Sequence, residues 1–412
     1  MNPTTYTAPQ GAGSAYRFMP LNAMPHQARE PDATYLAPIP RPPSWSEASR
    51  SLRLALSGNA NLRDRAEYQR AFVDRYIPNE SSLLPPSLAK TLYRAAFWQE
   101  PLPYGTVGVR MMDEFLLDLS WSSSRLEGNA YSRDRTAELF ATLDQGGTPE
   151  DASIDAQMLL NHRNAIDFLV RHASLEGVTR RVTQDVHGLL MEGLLGDPRD
   201  LGQVRQRIVA IGGSSYRPPA VPALLSEMLE HIVSKAARTR NPVEAAFFLW
   251  VNLAYLQAFV DGNKRTSRLM SNVPLMRRNC APLSFIDVQS EDYGLAMLGV
   301  YERLDLSVAV DLFEWAYTRS MHRYIAMLDP LPVIDPVRLR YRAQLGDTMR
   351  AVVVQRQCAQ AAIESQDIPR CDRSRFEALV HKEIAALHEN HGAIFRIRHE
   401  QVTDWIAAGR PH

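Results

Sequence analysis

Gln257-Ala258-Phe259-Val260-Asp261-Gly262-Asn263-Lys264-Arg265-Thr266-Ser267-Arg268 joins two helical patterns through a Gly-Asn pair. Upstream, Asn241 can cap a helix, Pro242 suits the first helical position, and Glu244 can reach back to the cap. The following body, Ala245 to Leu256, is apolar almost all round, which predicts a helix running through the core. Gly262 and Asn263 both tolerate left-handed geometry, so the chain can turn there and begin a second helix near Lys264. Successive loop amides leading into a helix N-terminus suit phosphate. Arg265 and Arg268, three apart, share a helix face on which two guanidiniums can fork onto phosphate oxygens. Asp261 stands where one carboxylate could hold a Mg²⁺ ion bridging those oxygens. The plainer reading is a surface corner with solvated arginines. No Walker-type loop and no Gly-x-Gly-x-x-Gly fingerprint competes elsewhere.

Outward from this stretch, the 412-residue chain reads as nearly all-α with a single β-hairpin. Residues 1–45 are punctuated by proline without an apolar period and read as a disordered tail. Residues 46–110 read as an N-terminal helical region, 111–330 as the core, and 331–412 as a helical extension. Helical patterns cover Leu62 to Tyr76, Arg110 to Ser120, Ala152 to Leu175, Thr183 to Leu195 and, as one long run, Val337 to Ser365. The hairpin is expected at Arg207 to Ile211, Gly212-Gly213 and Ser214 to Arg217, because paired glycines supply the positive φ of a tight turn.

Lys+Arg 46 against Asp+Glu 46 gives a net charge of +0, which argues against a nucleic-acid partner. Three cysteines without a CxxC pair exclude a disulfide scaffold and a structural zinc, and fit a cytoplasmic protein. No membrane span is visible; the most apolar stretch, Ala245 to Val260, carries Asn252 and Gln257 and falls short of the ~20 residues required.

The 257–268 stretch resembles the signature of the Fic/Doc (Fido) family, His-x-Phe-x-(Asp/Glu)-Gly-Asn-Gly-Arg-x-x-Arg, matched at Phe259, Asp261, Gly262, Asn263, Arg265 and Arg268. Ser123-Ser124-Arg125-Leu126-Glu127-Gly128 resembles the family's inhibitory-helix motif, (Ser/Thr)-x-x-x-Glu-(Gly/Asn). Gly202 to Pro219, with Ile211, Gly212, Gly213 and Tyr216, resembles its substrate-docking flap. The resemblance covers about residues 111–320 and implies a Fic-type helical bundle.

It further implies an adenylyltransferase that moves AMP, or a related phosphate-containing group, from ATP or a related nucleotide onto a hydroxyl of a target protein, here unidentified. Asp261 would hold Mg²⁺ on the α- and β-phosphates, and Gly262 and Asn263 would form the hole for the α-phosphate. Arg265 would face the β-phosphate and Arg268 the γ-phosphate. Glu127, placed by Ser123, would pair with Arg268 and block the γ-phosphate. Two positions depart from the pattern. Gln257 stands at the catalytic His, and an amide has no useful basicity near neutral pH. Losing a general base costs roughly 10²–10⁴ in rate, so impaired or altered transfer is expected, or a pseudoenzyme that binds nucleotide or a protein without turnover. Lys264 stands at the second Gly, as in Doc-like members, and would crowd the usual α/β-phosphate subsite. His162, His187 and His322 read more simply as core or helix-surface residues than as a replacement base. A homo-oligomer through the C-terminal extension is an open expectation.

Overall fold

The computed structural model describes residues 43–59, 62–96, 111–145, 147, 153–328, 336–388, 392–395 and 397–411. The proline-rich stretch 1–42 and the turn expected at Tyr104-Gly105 lie outside them. The chain divides into two compact units, Met1–Asp329 and Pro330–His412. The all-α expectation holds: the described residues form helices and one two-stranded pairing.

The first unit is built on the Pro242–Leu256 helix, every residue of which is buried. Asn241 caps it, its side-chain oxygen accepting from Val243 and Glu244 amides, with Pro242 in the first turn. Glu244 does not reach back to the cap as expected. Its carboxylate turns into the core and accepts from the Leu83 and Leu84 amides at 2.7 and 3.0 Å and from the Ser82 hydroxyl. Three donors in a dry setting outbid one cap amide. Around this helix pack Pro222–Arg238, Asn263–Met270, Asn272–Arg277 and Pro86–Ala96. A second row runs outward from Asn263–Met270 through Arg180–Met191 and Ile154–Phe168 to Met112–Arg125. Ser153 and Thr179 cap two of these helices, so short polar residues set where the row's members begin.

Buried Asp118 anchors the outer member of that row. It accepts from Arg133 Nε at 2.9 Å, from Tyr324 Oη at 3.1 Å and from the Arg323 guanidinium, tying Met112–Arg125 to Arg133–Asp144 and to Ser307–Leu328.

Two further expectations are corrected. Leu62 to Tyr76 is not one helix: Ala66–Glu67 is a strand and only Ala71–Asp74 is helical. The hairpin is absent: Gly212-Gly213 does turn the chain, but Arg207 to Ile211 forms no strand. Instead Tyr216–Arg217 pairs in parallel with Ala66–Glu67, Ala66 opposite Tyr216. The flap tip is also held from outside. Glu302 accepts from Ser214 Oγ, from the Ser215 amide and from Arg63, whose Nη2 donates to the Gly213 carbonyl. Pairing with residues 150 positions away satisfies the flap backbone better than a local partner strand, and no local pattern announces it.

The Val337 to Ser365 run is also broken. In the second unit it forms Pro336–Arg340, Arg342–Val353 and Ala359–Glu364, with Arg356 in left-handed geometry at φ 56°. These pack with Arg370–Ala386 and His399–Ala407 on a core that includes Met349, Val352, Phe376, Val402 and Trp405. No described helix is long and apolar enough to cross a membrane.

Candidate functional site

The core helix ends at Gln257, whose backbone is left-handed at φ 52°. The following loop is closed by a side-chain clasp: Asn263 Oδ1 accepts from the Phe259 amide at 2.8 Å and Nδ2 donates to the Phe259 carbonyl at 2.9 Å. The Asn263 side chain is therefore spent on shaping the loop. Gly262, at φ 73°, caps the next helix, Asn263–Met270. A Cβ there would lie 2.6 Å from Met191 Sδ, so only glycine fits both the backbone and the neighbour. The unsatisfied amides of the helix start and the two arginines of its first turns then share one region.

His187 holds the loop from below. It stacks on Phe259 with ring centroids 3.9 Å apart. Its Nδ1 accepts from the Gly202 amide at 3.0 Å, which leaves Nε2–H to donate to the Asp261 carbonyl at 3.1 Å. Burial pushes this imidazole down to about 4, so it is neutral.

Arg265 and Arg268 are both buried, and neither is satisfied. Arg265 Nη2 donates to Asp261 Oδ2 at 3.0 Å, and its Nη1 has no hydrogen-bond partner. Burial weakens the Arg265 cation, with the largely exposed Asp261 carboxylate only partly opposing this. Arg268 lies over the Tyr293 ring and donates through Nε to Ser123 Oγ and through Nη2 to the Ser123 carbonyl and Glu127 Oε1, at 3.0, 3.0 and 2.8 Å. Its Nη1 is likewise buried and unpartnered.

Glu127 follows the Met112–Arg125 helix, in a turn closed by Gly128 at φ 96°. Its other oxygen accepts from Lys264 Nζ at 2.9 Å. Burial would raise this carboxyl, but Arg268 and Lys264 overcome it and hold it at about 2. Ser123 is fixed by His162. Because His162 Nδ1 must donate to the Met158 carbonyl at 2.8 Å, its Nε2 accepts from the Ser123 hydroxyl at 3.0 Å, leaving Ser123 Oγ free to accept from Arg268. Burial, reinforced by the Arg265 and Arg268 charges, pushes His162 down to about 3.

Gln257 is buried, and its Nε2 donates to the Ala254 carbonyl at 2.7 Å, closing the end of its own helix. Its carbonyl accepts from Arg205 Nε at 2.8 Å. Arg205 is fully buried and spends its other nitrogens on the Arg207 and Pro219 carbonyls, so it staples the flap's base to the end of the core helix. The residues singled out in the sequence at 123, 127 and 261–268 thus converge. Ile211, Gly212 and Gly213 stand apart in the flap, while Tyr216 is buried with its hydroxyl on the Tyr255 carbonyl at 2.6 Å. His162, His187 and Arg205 carry roles that no local pattern signals, because Ser123, Asp261 and Gln257, the partners that define those roles, lie 39, 74 and 52 residues away. Among the described residues no three His, Cys, Asp or Glu converge as a metal site. A lone, exposed Asp261 suits only a cation that takes its remaining ligands from a phosphate and water.

Residues 177–275 match the family model described as "Fic/DOC family". Protein adenylyltransferase Fic of Drosophila melanogaster is 28% identical over 154 residues, 37% of this chain and 31% of that protein. The Drosophila grimshawi protein of the same name is 28% identical over 151 residues, 36% of this chain and 31% of its own. The chain thus spans about a third of the length of the curated relatives it matches. Among solved structures, Fic-1 from C. elegans is 23% identical, covers 59% of this chain and 70% of that one, and superposes with a TM-score of 0.46. A Fic domain-containing signaling protein from Bacteroides thetaiotaomicron is 18% identical, covers 60% and 97%, and also gives 0.46.

Proposed function

From a Fic/DOC-family domain at residues 177–275 as premise, we propose that this chain binds a nucleoside triphosphate at the Arg265–Arg268 helix and is a divergent protein adenylyltransferase with impaired transfer. The observation that carries this reading is the pair of buried guanidinium nitrogens, Arg265 Nη1 and Arg268 Nη1, left without acceptors beside a helix N-terminus. Buried polar groups are nearly always paired, so two orphaned donors one turn apart support a site for an acceptor-rich ligand. A phosphate chain supplies such acceptors in the forked geometry that arginine prefers.

Asp261 is the residue that would hold Mg²⁺ with the phosphates, and the metal would supply charge neutralisation there. The amides of the Gly262–Asn263 helix start face the same ligand. Glu127 competes with it. One carboxylate occupies Arg268 and Lys264 together, so a terminal phosphate enters only as Glu127 leaves.

In adenylyl transfer a target hydroxyl oxygen bonds to the α-phosphorus, the bond to the β-phosphate oxygen breaks, and pyrophosphate departs. The hydroxyl proton needs an acceptor. Gln257 cannot take it, and its amide is already committed to Ala254. His162 and His187 are neutral, but the lone-pair nitrogen of each is occupied, by Ser123 Oγ–H and by the Gly202 amide. These commitments favour, as the second reading, a pseudoenzyme that binds nucleotide or a protein partner without turnover. Intact mass of the chain and of candidate target proteins after incubation with ATP and Mg²⁺ tests both. AMP adducts appearing with Glu127→Gly/Gln257→His and not with Glu127→Gly alone support a sound scaffold lacking its base. Adducts from Glu127→Gly alone, lost on Asn263→Ala, restore a working transferase. No adduct and no nucleotide binding by any variant refutes the assignment.

A further inference from the structure

We propose that the Tyr301 hydroxyl belongs to the same site and donates a hydrogen bond to an oxygen of the phosphate chain held by Arg265 and Arg268. This inference rests on the nucleotide-binding reading above and adds a residue that neither the sequence motifs nor the family match at 177–275 includes.

Tyr301 is buried, and its hydroxyl has no hydrogen-bond partner. It lies beside the Gln257 side chain without meeting hydrogen-bond geometry, and within electrostatic reach of Tyr293, Glu127 and Arg268. The ring itself is fixed: it stacks on Tyr216, centroids 5.4 Å apart at 14°. The phenol therefore shares with Arg265 Nη1 and Arg268 Nη1 a deficit of acceptors. A single solvent-excluded hydroxyl without a partner is a local cost; one within electrostatic reach of Arg268, which itself keeps an orphaned donor, fits the complement of an anion rich in oxygens.

The backbone supports this placement. Ser290–Leu298 continues into a π turn, Gly299–Arg303, that carries Tyr301 at its centre. A π turn inserts an extra residue and redirects the side chain it carries, a cost that regular helix would avoid. Glu302 in the same turn takes Arg63 and the flap tip, so the turn fixes two neighbours at once. Burial holds the phenol protonated far above neutral pH, so it is a donor and never an acceptor in its charged form. A neutral donor adds no charge to a site that already holds two guanidiniums.

Two other features of the molecule give less. Exposed Ile208 and the Arg207 to Ile211 segment, which forms no strand, belong to the flap already described, and the exposed cations of Arg370–Ala386 name no partner.

The test is equilibrium binding to the full-length chain of Mg²⁺ with ATP, with inorganic tripolyphosphate and with adenosine. Glu127→Gly is compared with Glu127→Gly/Tyr301→Phe. Loss of one hydrogen bond to a charged acceptor predicts about a tenfold weaker affinity for both ATP and tripolyphosphate, with adenosine unaffected. The melting temperature of the ligand-free chain should hold or rise, because Phe removes an unpaired hydroxyl without opening a cavity. Equal tripolyphosphate affinity in the two variants overturns the inference and leaves the nucleotide-binding reading standing. An equal loss for adenosine also overturns it, by placing Tyr301 at the nucleoside instead. Failure of Glu127→Gly itself to bind ATP or tripolyphosphate removes both.

Discussion

Arg205 and the Arg265–Arg268 pair are equally removed from water but differ in how their nitrogens are used. Each nitrogen of Arg205 has a backbone carbonyl: Gln257 for Nε, Arg207 for Nη1 and Pro219 for Nη2. Arg265 and Arg268 each keep one nitrogen with none. The contrast separates a guanidinium that serves as structural mortar from guanidiniums held ready for a ligand. It also explains why burial alone does not identify a site. The useful observation is what a buried donor lacks.

The sharpest way to break this contrast is a matched pair of substitutions. Arg205→Met orphans three carbonyls and should cost about 4 kcal/mol of stability. Arg265→Met gives up one bond to an exposed carboxylate and should stay within about 1 kcal/mol of wild type, since it also relieves a desolvated charge. Urea denaturation measures both, and equal losses would erase the distinction.

The acid response of Glu127 probes the same site through charge. Its folded pKa of about 2 lies below the ordinary 4.5. Its contribution is therefore complete above pH 4.5 and is lost as pH falls towards 2. Relative to Glu127→Gln, the wild type should lose on the order of 3 kcal/mol across that window. Parallel stability curves for the two proteins would show the carboxylate to be unpaired in solution.

His187, held near 4 against an ordinary 6.5, acts in the same direction at milder pH. The folded state binds fewer protons than the unfolded one between those values. Stability should thus fall, by about 3 kcal/mol, as pH drops from 6.5 to 4, and His187→Asn should flatten that slope. The smallest effect belongs to Lys264, which is partly exposed. Its bond to Glu127 should contribute less than about 1 kcal/mol, so Lys264→Ala should barely move the urea midpoint.

Much of this site can be read from the chain alone. The Asn241-Pro242 cap, the Gly262-Asn263 turn and the spacing of Arg265 and Arg268 are local features, and local chemistry determines them. The approach of Glu127 to Arg268 is not local, and was expected only through resemblance to a family pattern. Other features stayed hidden for physical reasons. Tyr216–Arg217 had a locally plausible hairpin partner, but the pairing with Ala66–Glu67 is set by tertiary contacts through Arg63 and Glu302. Val337 to Ser365 contains no proline inside the break and no glycine near it, because Arg356 adopts left-handed geometry without either. His162 shows as a histidine on a helix; that its tautomer fixes Ser123 depends on Met158 and Arg268 together.

The most direct measurement is the affinity of Mg²⁺·ATP for wild type, Glu127→Gly and Glu127→Gly/Arg265→Met/Arg268→Met, by calorimetry. Removing the competing carboxylate should tighten binding at least tenfold over wild type, and removing the guanidiniums should abolish it. Identical affinities in all three proteins would place the nucleotide elsewhere and contradict the account.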